Sequence, residues 1–202
     1  MIEKIVSGSF ETNTYVISNA NKCIVVDPGL DFSGFATNIT SKYEVVAILI
    51  THGHIDHIDG IRFFKYVPIY IHKDDEEFLY DSKLSLYSWM GLKTPFLKNT
   101  LNVITVQEND IINLIGLEFK VIHTPGHTKG SVCYQYKNKL LSGDTLFKNS
   151  CGRTDFPTGS PMDMRRSLNR LMSECQDNVD VYPGHDEKTK IKDEKRNNPY
   201  IR

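Results

Sequence analysis

The chain predicts an α/β fold of four layers, two mixed sheets packed face to face with helices on the outside. Three observations predict it. Short apolar runs of strand length recur both early and late in the sequence. Segments of helical period fall between them instead of in a block of their own. Several of the runs also stop abruptly in a turn that carries His or Asp, as strands do when they deliver polar side chains to one edge of a sheet. No linker or internal repeat divides the chain, so residues 1–202 are read as one domain.

In order, residues 15–17 and 23–26 read as strands around the turn 18–22, and Asp27-Pro28-Gly29 ends the second. No strand is predicted before Tyr15. Residues 32–43 predict a short helix. Residues 45–50 form an apolar run without alternation, the mark of a strand buried on both faces. A helix is expected over 59–66, a strand over 68–71, and an acidic helix over 74–80 whose Asp74-Asp75-Glu76-Glu77 start reads as a solvated first turn favoured by the helix dipole. Residues 81–100 lack a period but hold Tyr87, Trp89, Met90 and Phe96, and suit either a functional lid or binding loop or a surface excursion packed on its own base. Strand and turn signals alternate over 103–121, and 131–136 with 139–142 predict a hairpin. Ser160-Pro161-Met162-Asp163 is a helix start, with a capping Ser, Pro in the first position and an acid at the third. Met164, Leu168, Leu171 and Met172 follow at helical spacing as core. Residues 179–182 predict a last strand, and 186–198 a surface helix.

Composition excludes several classes. A formal net charge of -1 with 24% charged residues leaves no basic field for nucleic acid or an anionic membrane surface. The N-terminus has no apolar signal region, and no apolar run approaches a bilayer span. Cys23, Cys133, Cys151 and Cys175 show no CxxC spacing and read as reduced thiols. The expectation is a cytoplasmic protein acting on a small molecule, without nucleic acid or membrane, as monomer or homodimer.

The chemistry lies in the turns. Residues 50–57, Ile-Thr-His-Gly-His-Ile-Asp-His, place His52, His54, Asp56 and His57 directly after the buried strand 45–50. Imidazole and carboxylate are the donors that Zn²⁺ and Fe²⁺ accept. His52 and His54, two residues apart, project to one side of an extended segment. Three more strand-to-turn segments carry one donor each: His127 in His-Thr-Pro-Gly-His-Thr, Asp144 in Leu-Leu-Ser-Gly-Asp-Thr-Leu, and His185 in Val-Tyr-Pro-Gly-His. Five imidazoles and two carboxylates exceed what one tetrahedral ion takes, so two divalent metal ions are expected, zinc first, with iron or manganese as options. Such a pair brings the pKa of bridging water toward neutrality, which suits hydrolysis of an activated acyl compound. His72 and His123 are read as structural or as supports behind the metal set, outside it, and Cys151 as a packing residue before a liner of the pocket.

Together HGHIDH, His127, Gly143-Asp144 and Pro-Gly-His185 resemble the metallo-β-lactamase fold superfamily along nearly the whole chain. The resemblance implies a four-layer αβ/βα sandwich of two mixed sheets with outer helices. It implies a first metal on His52, His54 and His127, a second on Asp56, His57 and His185, Asp144 as the bridge, and Asp27 in support of the metal loop. Gly-Asp-Thr-Leu-Phe at 143–147 with Cys-Gly-Arg-Thr-Asp-Phe-Pro at 151–157 is similar to the short glyoxalase II-like thioester hydrolases, which lack the C-terminal helical domain that holds glutathione; only about 17 residues follow His185. The resemblance makes Asp56 the catalytic residue that orients or deprotonates the nucleophile. Arg153 falls on the family's thiol-binding lysine and Asp155 on its nearby tyrosine, with Lys148 a second candidate anion contact. The same Cys-Gly-Arg-Thr-Asp-Phe segment resembles persulfide dioxygenases of this fold, which would hold one iron on His52, His127 and Asp144.

Overall fold

In a computed structural model that describes residues 1–201, two six-stranded sheets stack face to face. The first runs, in spatial order, β1 (Ile2–Ser7), β2 (Thr12–Asn19), β3 (Lys22–Val26), β4 (Glu44–Leu49), β5 (Ile69–His72) and β6 (Val103–Val106). Its first two pairings are antiparallel and the rest parallel. Helix α1 (Ser33–Lys42) makes the crossover from β3 to β4, and the single turn α2 (Ile55–Ile58) follows β4. The second sheet runs β7 (Ile111–Leu114), β8 (Leu117–His123), β9 (Val132–Tyr136), β10 (Lys139–Gly143), β11 (Asp180–Pro183) and β12 (Thr189–Lys190). Only β10 and β11 are parallel there, and α3 (Pro161–Glu174) crosses between them. Helix α4 (Ile191–Asn197) closes the chain. The molecule is therefore the expected αβ/βα sandwich of two mixed sheets.

Side-chain alternation divides the core into three slabs. In β3, Cys23 and Val25 face α1 while Ile24 and Val26 face the second sheet. Likewise Ile48 of β4 joins the α1 side and Ala47 and Leu49 the inter-sheet side, which explains why this central strand has no polar face. On the second sheet Phe119, Val121, Val132, Tyr134 and Leu141 point inward, and Ile122, Cys133 and Leu140 outward to α3. Helix α3 begins as expected, with Ser160 Oγ accepting from the Asp163 N–H at 3.2 Å and Pro161 in its first turn. That cap contributes about 1 kcal/mol. Burial of Met164, Leu168, Leu171 and Met172, at roughly 1.5–3 kcal/mol each, outweighs it and fixes which face turns inward.

Three expectations need correction. The N-terminus supplies an edge strand, β1, and β2 begins three residues earlier than the apolar run suggests, because Thr12, Asn13 and Thr14 are buried polar residues with partners elsewhere. The helix expected over 59–66 is one α turn over Ile55–Ile58 and a 3-10 turn over Asp59–Phe63; Gly60 lies so close to Pro28 that a Cβ there would collide with it. The acidic segment gives only a 3-10 turn over Glu76–Leu79, and Asp75 before it is fully buried instead of solvated. Among the described residues no helix is long and apolar enough to cross a membrane.

Candidate metal centre

Strands β3, β4, β8, β10 and β11 all release their carboxyl ends at one edge of the sandwich. There the two sheets bond to each other, Val132 N–H to Thr51 O at 2.8 Å and Asn13 N–H to Gly184 O at 2.7 Å, and within the second sheet Gly184 N–H bonds to Gly143 O at 2.8 Å. Gly184 has to be glycine, because a Cβ would strike the Asp144 carboxylate and the His57 ring.

The structure brings together all seven residues singled out from the turns. His52, His54 and His127 offer ligand atoms within 4.8 Å of one another, and so do Asp56, His57 and His185. The first three rings stand edge-on, at interplanar angles of 89° (His52–His54), 90° (His54–His127) and 81° (His52–His127). His54 Nδ1 and His127 Nε2 come within 2.9 Å. Asp144 lies between the groups, with Oδ1 at 3.4 Å from His57 Nε2, and Oδ2 at 3.5 Å from His127 Nε2 and 3.6 Å from His185 Nε2. Asp56 Oδ2 stands 3.3 Å from His185 Nε2 and 3.5 Å from His57 Nε2.

Hydrogen bonds from the far side of the rings fix their orientation. His127 Nδ1–H donates to Arg153 O at 2.7 Å, His185 Nδ1–H to Phe10 O at 3.0 Å, and His57 Nδ1–H to Asp27 Oδ2 at 3.1 Å. The Thr51 hydroxyl donates to Asp27 Oδ2 at 2.6 Å and receives His52 Nδ1 at 3.2 Å. Each of these four rings thus turns its Nε2 toward the centre, as metal-ligating imidazoles do. Asp27 reaches both neighbours from a left-handed backbone (φ 50°), a conformation that Asp tolerates better than most residues.

Orphaned atoms and proton affinities fit a divalent cation pair. His52 Nε2, His54 Nε2, His57 Nε2 and Asp144 Oδ1 are buried with no hydrogen-bond partner, a costly state unless something binds there. Burial, then the neighbouring imidazoles, holds His52 and His54 well below the ordinary His range, so both are neutral donors. Burial also opposes charge on His57, but Asp56, Asp144 and Asp27 outweigh it and push that ring up to about 10; His185 is raised by Asp144 and Asp56 against the same penalty. Asp56 is held below the carboxylate range by His57, His185 and His54 despite its burial. The second group therefore carries positive charge on imidazoles between carboxylates, charge that a cation would replace with release of protons.

Three polar supports have no signature in the sequence. Thr12 donates to Asp56 Oδ2 at 3.2 Å, and Asn13 Nδ2–H reaches Pro183 O at 3.0 Å, next to the His185 turn. Asp75 ties the two ligand loops together: Oδ2 accepts from the Gly53 N–H at 2.9 Å and the Thr128 hydroxyl at 2.7 Å, and Oδ1 from the Gly130 N–H at 2.8 Å. Burial raises its pKa to about 6 against those three donors.

The remaining expectations sort by location. Arg153 lines the cavity beside the centre, but its guanidinium is held by Asp155. Lys148 is not brought to the cluster; it pairs with Glu187 at 2.6 Å over a separate cleft. Cys151 packs beside the α3 core, and all four cysteines are free. Within residues 81–100, Tyr87 and Phe96 pack into the core while Trp89 and Met90 line the cavity. His72 and His123 meet with Asp74 but stack in parallel, 4.0 Å apart at 11°, so their in-plane lone pairs cannot converge on one ion.

Fold and cluster together define a metal-binding hydrolase architecture. Residues 8–185 match the family model described as the metallo-beta-lactamase superfamily, and the chain belongs to that superfamily, whose members are mostly hydrolytic enzymes. It is 31% identical to hydroxyacylglutathione hydrolase GloC of Haemophilus influenzae over 99% of this chain and 97% of that one. The fold superposes on the B3 metallo-beta-lactamase BLEG-1 with a TM-score of 0.89 at 30% identity, covering 100% and 99% of the two chains. It superposes on TTHA1623 in a di-iron-bound form at 0.79 and 30%, covering 98% and 99%. ETHE1 from Myxococcus xanthus gives 0.79 and 26%, covering 98% and 83%.

Proposed function

We propose that the protein is a metal-dependent thioester hydrolase, cleaving S-acyl glutathione such as S-lactoylglutathione or a similar thiol ester. The observation that carries this reading is Asp144, set between two His-containing groups beside a cavity of about 330 Å³. Similarity to GloC supports the reaction class. His52, His54 and His127 would hold one ion and Asp56, His57 and His185 the other, with Asp144 facing both; zinc suits the donors best, then iron or manganese. Divalent cations bound there supply Lewis acidity toward a carbonyl oxygen and lower the pKa of water toward neutral.

The chain's own residues supply the rest. Asp56 stays ionised, is braced by Thr12, and lines the cavity, so Oδ2 is placed to orient attacking water and take its proton. Phe147 and Phe156 pack against His185 and His54 and keep bulk water off the centre. The leaving thiolate is a weak base, with a thiol pKa of about 8.5, so it departs without a dedicated proton donor. The partner in this reading is a small-molecule thioester in the cytoplasm, with the chain a monomer or homodimer.

A second reading, a mononuclear iron persulfide dioxygenase held by His52, His127 and Asp144, is favoured by the likeness to ETHE1. Elemental analysis of the isolated protein beside S-lactoylglutathione hydrolysis and oxygen uptake separates the two. We expect two metal ions per chain and hydrolysis. One iron per chain with oxygen consumed on a persulfide substrate overturns the hydrolase reading.

A further inference from the structure

The five imidazoles of the centre are not held alike. His52, His54, His57 and His127 are at most 2% exposed and are locked by the packing around them. The side chain of His185 is 21% exposed, on a turn where Asp186 takes a left-handed backbone (φ 63°). Exposed turns are the mobile part of a fold unless hydrogen bonds tie them down.

Those bonds come from one short stretch at the start of β2. Asn13 has three N–H donors, one on the main chain and two on the carboxamide. All three end on the His185 turn: the backbone N–H on Gly184 O at 2.7 Å, and Nδ2 on Pro183 O at 3.0 Å and on Asp186 O at 2.9 Å. Phe10 O accepts from His185 Nδ1–H at 3.0 Å. Thr12, between Phe10 and Asn13, donates to Asp56 Oδ2 at 3.2 Å, the atom that stands 3.3 Å from His185 Nε2. Thr12 and Asn13 are both buried, a costly place for polar side chains unless their donors are matched.

None of these bonds reaches the other group of ligands. His52 is oriented through Thr51 and Asp27, His127 by Arg153 O, and the loops that carry His52, His54 and His127 by Asp75. Asp27 is the shared support, because it also accepts from His57 Nδ1–H. Resting on the two-ion assignment of the hydrolase reading, we propose that Asn13 and Thr12 are positioning residues for one ion alone, that of Asp56, His57 and His185, so that this ion can be lost while the other stays. Without the Asn13 carboxamide the turn keeps one of its three ties to that residue, and His185 is free to leave Asp56 and Asp144. Without the Thr12 hydroxyl, Asp56 is no longer braced. In both cases His52, His54 and His127 keep every bond described.

The test reads metal content and affinity, not turnover. Metal-free protein is titrated with zinc against competing chelators, and elemental analysis after dialysis counts the ions retained. We expect two zinc ions per chain in the wild type and one in Asn13→Ala, with the affinity of the lost ion down about 10- to 100-fold and that of the other within about threefold. His185→Ala marks which affinity belongs to the second group. Adding Asn13→Ala to His185→Ala should weaken zinc no further, because the contact acts through that ring. Thr12→Val, of the same shape without the donor, should lower the same affinity about tenfold, and Thr12→Ser, which keeps the hydroxyl, should restore it. This Thr12 pair carries the test if Asn13→Ala does not fold. Equal weakening of both ions overturns the proposal and makes the stretch a general structural support; an unchanged second affinity overturns it as well. A wild type that takes up one ion per chain overturns the two-ion assignment and the proposal with it, and is told apart from the other failures because it needs no variant.

Discussion

Two regions of this molecule gather histidines beside an aspartate, and only one is built for a metal. In the centre, His52, His54 and His127 meet at interplanar angles between 81° and 90°, with ring nitrogens pointing inward. At the ends of β5 and β8, His72 and His123 lie flat on each other at 11°, and His123 Nε2–H spends itself on Lys129 O at 2.8 Å. The residue types are the same. Ring orientation, fixed for His52 and His127 by bonds on the far side of the imidazole, separates the convergent set from a packing pair.

The largest effect that would break this distinction comes from exchanging the sites in a mutational test. His54→Ala should strip metal and lower thioester turnover about a thousandfold or more, since lost charge stabilisation in the transition state is worth several kcal/mol. His123→Gln should leave metal content and turnover within about twofold while lowering stability by about 1 kcal/mol through the lost stack and the weakened bond to Lys129. Metal analysis and kinetics on both variants check the pair. Retained turnover in His54→Ala, or metal loss in His123→Gln, would reverse the two roles.

A smaller effect tests whether the edge-on geometry is imposed from outside. Asp75 touches no ligand ring, yet it holds the backbone of Gly53 between His52 and His54, and the Thr128 hydroxyl beside His127. In Asp75→Asn an amide N–H faces a donor, so one of the two loops slackens. Zinc affinity measured by chelator competition should fall about 10- to 100-fold, the range for supporting contacts of metal sites. A lower melting temperature with unchanged zinc affinity would reduce Asp75 to a structural role.

The seven clustered residues were legible in the sequence because each sits on a turn after an apolar run, where Gly and Pro mark the break: Gly-His-Ile-Asp-His, Pro-Gly-His127, Gly143-Asp144, Pro-Gly-His185. The αβ/βα layering followed from the same alternation of strands and helices. What stayed hidden depends on partners far along the chain. Asp75 looks like a solvated acid until Gly130, 55 residues on, donates to it. Thr12 to Thr14 interrupt the hydrophobic pattern because their side chains serve Asp56, Pro183 and Asp27. Arg153 reads as an anion contact until Asp155 is seen to bind it from two residues away, at bonding distances that spacing alone does not give.

The smallest effect sharpens the contrast through acid. Burial and then the neighbouring His123 push His72 down to about 4, as burial and neighbouring imidazoles depress His52 and His54. In the centre a cation can take the place of the missing protons; in the parallel stack nothing can. The unfolded His72 takes up its proton near pH 6.5, so between about 6.5 and 4 the unfolded chain binds more protons than the folded one. Stability from this residue is complete above pH 6.5 and is lost as pH falls toward 4. Urea unfolding of wild type and His72→Gln at pH 7 and pH 4.5 isolates it, because other titrating groups are common to both. The stability gap should shrink by on the order of 1–2 kcal/mol at the lower pH. A constant gap would mean that the stacked ring accepts a proton as readily folded as unfolded, and that the stack, unlike His52 and His54, does not exclude positive charge.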